Sequence, residues 1–224
     1  MEEIEARVLR TLEEKVDPGH AALVVVDVQN DFCHWEGALA KRGEDVSDIQ
    51  AMVPNLLRLI DRAREEKVPI VFVQMVSSPW TISPVALERR LRFQREYRMS
   101  CQEGSWGAEF YQVRPQPGEV VVVKHRHSAF VDTDLELILR SRGIKTLIMT
   151  GVATNVCVES TARDGFMKDF YIVFVSDGAA CTSREAHQAT LRNIENHYGA
   201  VVTVQEVMTA WAKKKAAAPQ VAAS

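Results

Sequence analysis

Residues 147–166 read LIMTGVATNVCVESTARDGF, and the change of pattern inside this stretch decides the fold. A short apolar run, 146–149, is punctuated by Thr150-Gly151. The segment 158–168 then reads as a helix closing on Lys168, a favourable residue at a helix C-terminus. A strand that hands the chain to a helix in this way is half of a βαβ unit. Working outward, AALVVV at 21–26, the run 69–76, EVVVV at 119–123, FYIVFV at 170–175 and a weaker run at 200–204 repeat the first half of the pattern. They are short, continuous and β-branched rather than alternating, as strands covered on both faces of a parallel sheet are. Helical stretches at 49–66, 133–142 and 184–197 alternate with them, and Gly143 has the position of a C-cap. The alternation predicts an α/β fold, a three-layer α/β/α sandwich around a mostly parallel six-stranded sheet with right-handed crossovers.

The domain is expected over 19–212. Residues 77–116 interrupt the alternation and read as an insertion or lid over the edge or top of the sheet, with a helix at 86–98. Ahead of Pro18-Gly19, residues 1–18 place Ile4, Val8, Leu12 and Val16 at four-residue steps, predicting one amphipathic helical arm packed on the domain or on a partner subunit. The tail 213–224, KKKAAAPQVAAS, is expected to be disordered.

Composition narrows the function. The 224 residues are 46% hydrophobic and 25% charged, ordinary for a globular protein. Twenty-seven basic and 30 acidic residues are interspersed for a net charge of −3, so no basic block supports a nucleic-acid partner. No apolar run approaches the ~20 residues of a membrane span. The acidic start, MEEIEARVLRTLEEK, lacks the order of a signal peptide, so a cytoplasmic protein is expected. The four cysteines form no CxxC, which argues against a disulfide framework or a cysteine zinc site.

Ligands of parallel α/β sheets sit beyond the carboxyl ends of the strands. There the first strand delivers Asp27, the strand at 119–123 delivers Lys124, and the strand at 146–149 delivers the loop leading to Cys157. Each alone has an ordinary explanation: a turn-forming Asp, a solvated Lys, a buried small hydrophobe. Together they suit nucleophilic catalysis. A helix start and an ammonium favour the thiolate, Asp27 takes and returns a proton, and backbone N–H groups face a developing oxyanion.

The segments LVVVDVQNDF (23–32), VVVVKHRHSAF (120–130) and LIMTGVATNVCVESTARDGF resemble the three signature blocks of the isochorismatase-like cysteine hydrolases. The resemblance covers about residues 20–211. It implies a triad of Asp27, Lys124 and Cys157 acting through a thioester. It also implies a cis peptide at Val152–Ala153 that turns the N–H of Ala153, with that of Cys157, into an oxyanion hole. Within the family, GSWGAEF (104–110), RPQPGEVVVVK (114–124) and LELILRSRGI (135–144) are similar to ureidoacrylate amidohydrolases and N-carbamoylsarcosine amidase-type enzymes, whereas 77–103 departs from them. Nicotinamidases of the family carry a metal-binding DWH-like motif; here that region reads VFVQMVSSPW (71–80), with no histidine between His34 and His125.

The reading is therefore a cysteine-dependent amidohydrolase releasing ammonia from a small amide or ureido compound. It uses no cofactor or metal, although His125 and His127 have the i, i+2 spacing of a ligand pair. A nicotinamidase-like or isochorismatase-like hydrolase of another small molecule, or a non-catalytic binding module, stands as the alternative. A dinucleotide oxidoreductase and a serine α/β-hydrolase lack their G-x-G and G-x-S-x-G motifs. Phe32, Trp35, Trp80, Trp106 and Phe130 are the candidate aromatic walls of the pocket. Asn155 either hydrogen-bonds substrate or ties down its own loop, and Cys33 is read as structural. The resemblance also implies a homo-oligomer, dimer or tetramer.

Overall fold

The computed structural model describes residues 1–93 and 99–217. Strands β1 (Ala21–Val26), β2 (Ile70–Met75), β3 (Val120–Lys124), β4 (Thr146–Val152), β5 (Tyr171–Ala180) and β6 (Gly199–Val202) form one sheet in the order β3-β2-β1-β4-β5-β6. Every neighbouring pair is parallel. The order reverses direction beside β1, so the ends of β1 and β4 flank the point where a crevice opens. The helices are α1 (Glu2–Glu5), α2 (Leu12–Lys15), α3 (Asn30–Cys33), α4 (Ala38–Lys41), α5 (Ser47–Glu65), α6 (Pro84–Phe93), α7 (Leu135–Ser141), α8 (Glu159–Met167), α9 (Arg184–His197) and α10 (Val204–Ala217).

Alternate residues of β1 feed two cores. Ala21, Leu23 and Val25 face α5 and α10, packing with Ile49, Leu56, Ile60, Val207 and Trp211. Ala22, Val24 and Val26 face the opposite layer, with Leu135 and Leu139 of α7, Ala162 of α8 and Ile194 of α9. Burial on both sides explains why the strand is apolar throughout rather than alternating.

Three expectations need correction. β3 is not covered on both faces: it is an edge strand, and Val121 and Val123, on its α5-side face, are exposed. The arm is not one helix. Thr11 has extended dihedrals and forms a capping box with Glu14, which starts α2 afresh and leaves Ile4 and Val8 exposed. Chain order also persists past 213, because Val204, Val207, Ala210 and Trp211 form an apolar stripe that carries α10 to Ala217. Trp211 Nε1 donates to the Val16 carbonyl at 2.7 Å and Lys213 pairs with Glu13 at 3.1 Å, so arm and last helix brace each other. The rest of the tail and residues 94–98 of the expected insertion helix lie outside the described residues.

The insertion is tied down rather than loose. Gln29 joins the β1 end to both β2 and the insertion, donating to the carbonyls of Met75 (2.9 Å) and Ala108 (2.7 Å) and accepting from Met75 N–H (2.8 Å). Asp31 accepts from the backbone N–H groups of Cys101 (2.6 Å) and Ala38 (3.1 Å). Among the described residues no helix is long and apolar enough to cross a membrane.

Candidate active site

Asp27 is the first residue past β1, with a left-handed φ of 51°, and is fully buried. Lys124 closes β3 and is equally buried. These strand ends are not adjacent: β2 lies between them, a span of roughly 10 Å at ordinary strand spacing. The long lysine stem bridges it past Met75. Its Nζ stands 2.7 Å from Asp27 Oδ2, 3.9 Å from Met75 Sδ, and donates to the Arg126 carbonyl at 3.0 Å. A buried ion pair of this kind survives because each charge offsets the other's desolvation.

Cys157 approaches from β4, next to β1. The Val152–Ala153 peptide is cis, and the chain continues into a wide helical turn, Thr154–Val158, that runs directly into α8. Gly151 lets β4 come this close. It has φ +105°, and a Cβ there would stand 2.1 Å from the Val26 carbonyl oxygen. Thr154 shares a 2.9 Å hydrogen bond with His187 Nδ1, and Thr161 Oγ1 donates to the Cys157 carbonyl at 2.7 Å.

The sequence offers aids to a thiolate, and burial opposes them. Burial, the largest influence, pushes the Cys157 thiol up to about 12, against the pull of the Lys124 ammonium. Burial also raises the Asp27 carboxyl, which makes it a stronger base, although Lys124 opposes the shift. For Lys124 burial favours the neutral amine, but attraction to Asp27 and Cys157 outweighs it and the ammonium is held more firmly than usual. Burial thus works against a thiolate at Cys157, and the Lys124 ammonium beside Asp27 works in its favour.

A cavity of about 430 Å³ opens onto the sulfur. Cys157, Ala153, Asn155 and Phe32 lie on its wall; Val152 is buried behind Ala153. The other proposed aromatic walls are elsewhere. Trp80 is almost fully exposed and borders a separate 580 Å³ groove. Trp35 and Trp106 stand edge-on to the His34 ring at 5.7 and 5.1 Å, and both are exposed. The short helical turn Trp106–Ala108 is anchored through its backbone, the Trp106 carbonyl accepting from Asn30 at 2.8 Å, and the indole turns to the surface. Phe130 is buried in the core, stacked on Phe170 at 5.9 Å.

The rest of the wall mixes Leu39, Met75 and Val156 with polar groups: Arg42 and Glu44 after α4, Arg89 of α6, Ser77, Ser100, His127 and Thr182. Arg42 hydrogen-bonds Ser100. No local pattern marks Arg42 or Arg89, because the segments that follow β1 and β2 bring them together. The i, i+2 histidines separate: His125 Nδ1 meets the Val76 carbonyl at 2.8 Å and borders the groove, while His127 Nδ1 lies 3.8 Å from Cys157 Sγ. Among the described residues no group of three His, Cys, Asp or Glu side chains is disposed to hold an ion. Turnover is accordingly expected to survive exhaustive dialysis against a chelator. Loss of activity that zinc or manganese restores would overturn that expectation. Cys33 and Cys101 are buried, their thiols raised chiefly by burial.

The isochorismatase domain family matches residues 21–206. A ureidoacrylate amidohydrolase RutB of Pseudomonas savastanoi pv. phaseolicola is 36% identical over 220 residues, covering 91% of this chain and 89% of its own. A cysteine hydrolase structure from Pseudomonas syringae pv. phaseolicola superposes with a TM-score of 0.78 at 25% identity, over 89% of this chain and 95% of that one. N-carbamoylsarcosine amidase from Thermoplasma acidophilum gives 0.68 at 27% identity, over 83% and 96%.

Proposed function

The chain belongs to the isochorismatase family, and from that premise we propose that it is a cysteine-dependent amidohydrolase of small ureido acids of the ureidoacrylate type. The observation that carries the reading is the Asp27–Lys124 pair, 2.7 Å apart and fully buried, behind a cysteine that faces a small cavity. In the proposed mechanism Asp27 takes the Sγ proton as the sulfur attacks the carbonyl carbon, and Lys124 holds the charge balance as the thiolate forms. The N–H groups of Ala153 and Cys157 stabilise the oxyanion. Asp27 then returns the proton to the departing nitrogen, and water hydrolyses the thioester.

The two arginines on the cavity wall support an anionic substrate. Arg42 and Arg89 supply two guanidiniums suited to a carboxylate, and the cavity's modest volume suits a molecule of a few heavy atoms. A charge-assisted hydrogen bond contributes about 1.5–3 kcal/mol. Arg42→Met or Arg89→Met is therefore expected to raise KM for a ureido acid roughly 10- to 100-fold with kcat largely kept.

The test of the whole reading is a panel of ureido acids, carbamoyl amino acids and primary amides scored for ammonia and carbon dioxide. Ureidoacrylate-type acids are expected to yield both. Turnover confined to uncharged amides such as nicotinamide, with stoichiometric carboxylic acid, would sink the substrate class.

A further inference from the structure

We propose that His127 is a catalytic residue of the second half-reaction, the hydrolysis of the acyl-thioester, an inference that rests on the cysteine-thioester reading above. Its Nδ1 lies 3.8 Å from Cys157 Sγ. The two side chains share the cavity wall, whereas Asp27 and Lys124 are fully buried and contribute nothing to that wall. His127 is exposed to solvent. Water that hydrolyses a thioester on Cys157 enters through the cavity, so it meets the imidazole before it meets the carboxylate.

Arg42 and Arg89 on the wall are not bases at neutral pH. Glu44 accepts from the Thr182 hydroxyl at 2.8 Å, and Cys181 donates to the Ser183 carbonyl at 3.2 Å. Lys124 is paired with Asp27, and Arg126 donates to the Thr81 and His125 carbonyls, both at 2.9 Å. The segment that carries the imidazole is held against the Cys157 turn. Thr161 Oγ1 donates to the Cys157 carbonyl and accepts from Ala129 N–H at 3.0 Å, which ties the nucleophile's turn to the segment carrying His127.

The step balances. Water oxygen bonds to the thioester carbonyl carbon while one water proton passes to neutral His127. The tetrahedral intermediate collapses with cleavage of the C–S bond, and the imidazolium gives that proton to Sγ. The acid leaves, and thiol and neutral imidazole are restored.

p-Nitrophenyl acetate is the probe, because its nitrophenolate burst reports acylation and its steady state reports deacylation whatever the natural substrate. His127→Gln keeps a polar side chain but cannot carry the proton. It is expected to retain the burst, slow the steady state by about 10²–10⁴-fold, and accumulate an acetyl adduct on Cys157 visible by mass spectrometry of the intact protein. His127→Ala should behave alike and regain turnover with added imidazole. A steady state equal to wild type, or a burst slowed in parallel with no adduct, overturns the assignment. Cys157→Ala separates the two proposals: a burst surviving in that variant overturns the cysteine-thioester reading itself.

Discussion

Cys157→Ala is expected to retain the fold and lose turnover by on the order of 10⁴-fold or more, since only binding and backbone oxyanion stabilisation would remain. The substitution removes one sulfur from a buried helical turn whose geometry is held by other groups. Those are the Thr161 bond to the Cys157 carbonyl, the Thr154–His187 bond and the close approach at Gly151. Its stability cost is accordingly on the order of 1 kcal/mol. Thermal unfolding and ammonia release measured together decide the matter. A variant that melts like wild type and still turns over removes Cys157 as nucleophile. The thiol can also be followed directly. With its pKa pushed up to about 12, alkylation of Cys157 should keep rising at pH values well above the pKa of about 8.5 of an ordinary thiol, whose rate has levelled off there. Cys181, on the same cavity wall, is the competing thiol. Peptide mapping that finds Cys181 labelled and Cys157 not would count against the assignment.

Asp27→Asn and Lys124→Met are expected to move the thiol in opposite directions while both impair turnover. The Asp27 carboxylate disfavours a nearby thiolate and the Lys124 ammonium favours it. Replacing the acid by an amide should therefore lower the thiol pKa and speed alkylation. Turnover should nevertheless fall by about 10²–10⁴-fold for want of the proton acceptor. Lys124→Met fills much of the buried stem's volume without its charge, so alkylation should slow together with turnover. Each variant breaks a buried pair and is expected to cost about 3–5 kcal/mol of stability, which makes thermal unfolding a necessary companion measurement. Paired pH–alkylation and pH–rate profiles are the test. If Lys124→Met alkylates like wild type and keeps most of its activity, the lysine is a bystander and the site reduces to a Cys–Asp dyad.

The strands, the helix over 184–197 and the edge at which Asp27, Lys124 and Cys157 arrive were legible in the residues alone. Each depends on a short-range pattern: a continuous β-branched run, an apolar stripe, a residue directly after a strand. Where the expectation failed, a distant partner decided. Nothing within EVVVV tells that β3 lies at the sheet's edge with one face open, because that depends on where α5 packs. The four-residue steps of the arm are genuine, yet the Thr11–Glu14 capping box and the docking of Val16 under Trp211 override them.

The site divides along the same line. By itself the sequence determined the α/β alternation, the placing of Asp27, Lys124 and Cys157 past strand ends and the loop in which Cys157 sits, all properties of contiguous residues. Only the tertiary structure decided that Lys124 spans an intervening strand to reach Asp27, that burial pushes the Cys157 thiol up, and that Trp35, Trp80, Trp106 and Phe130 leave the wall to Arg42, Arg89 and His127. Aromaticity in a loop does not tell which way the loop's backbone is anchored. In this chain Asn30 and Asp31 set that anchoring, by hydrogen bonds to backbone some 70 residues away in the sequence.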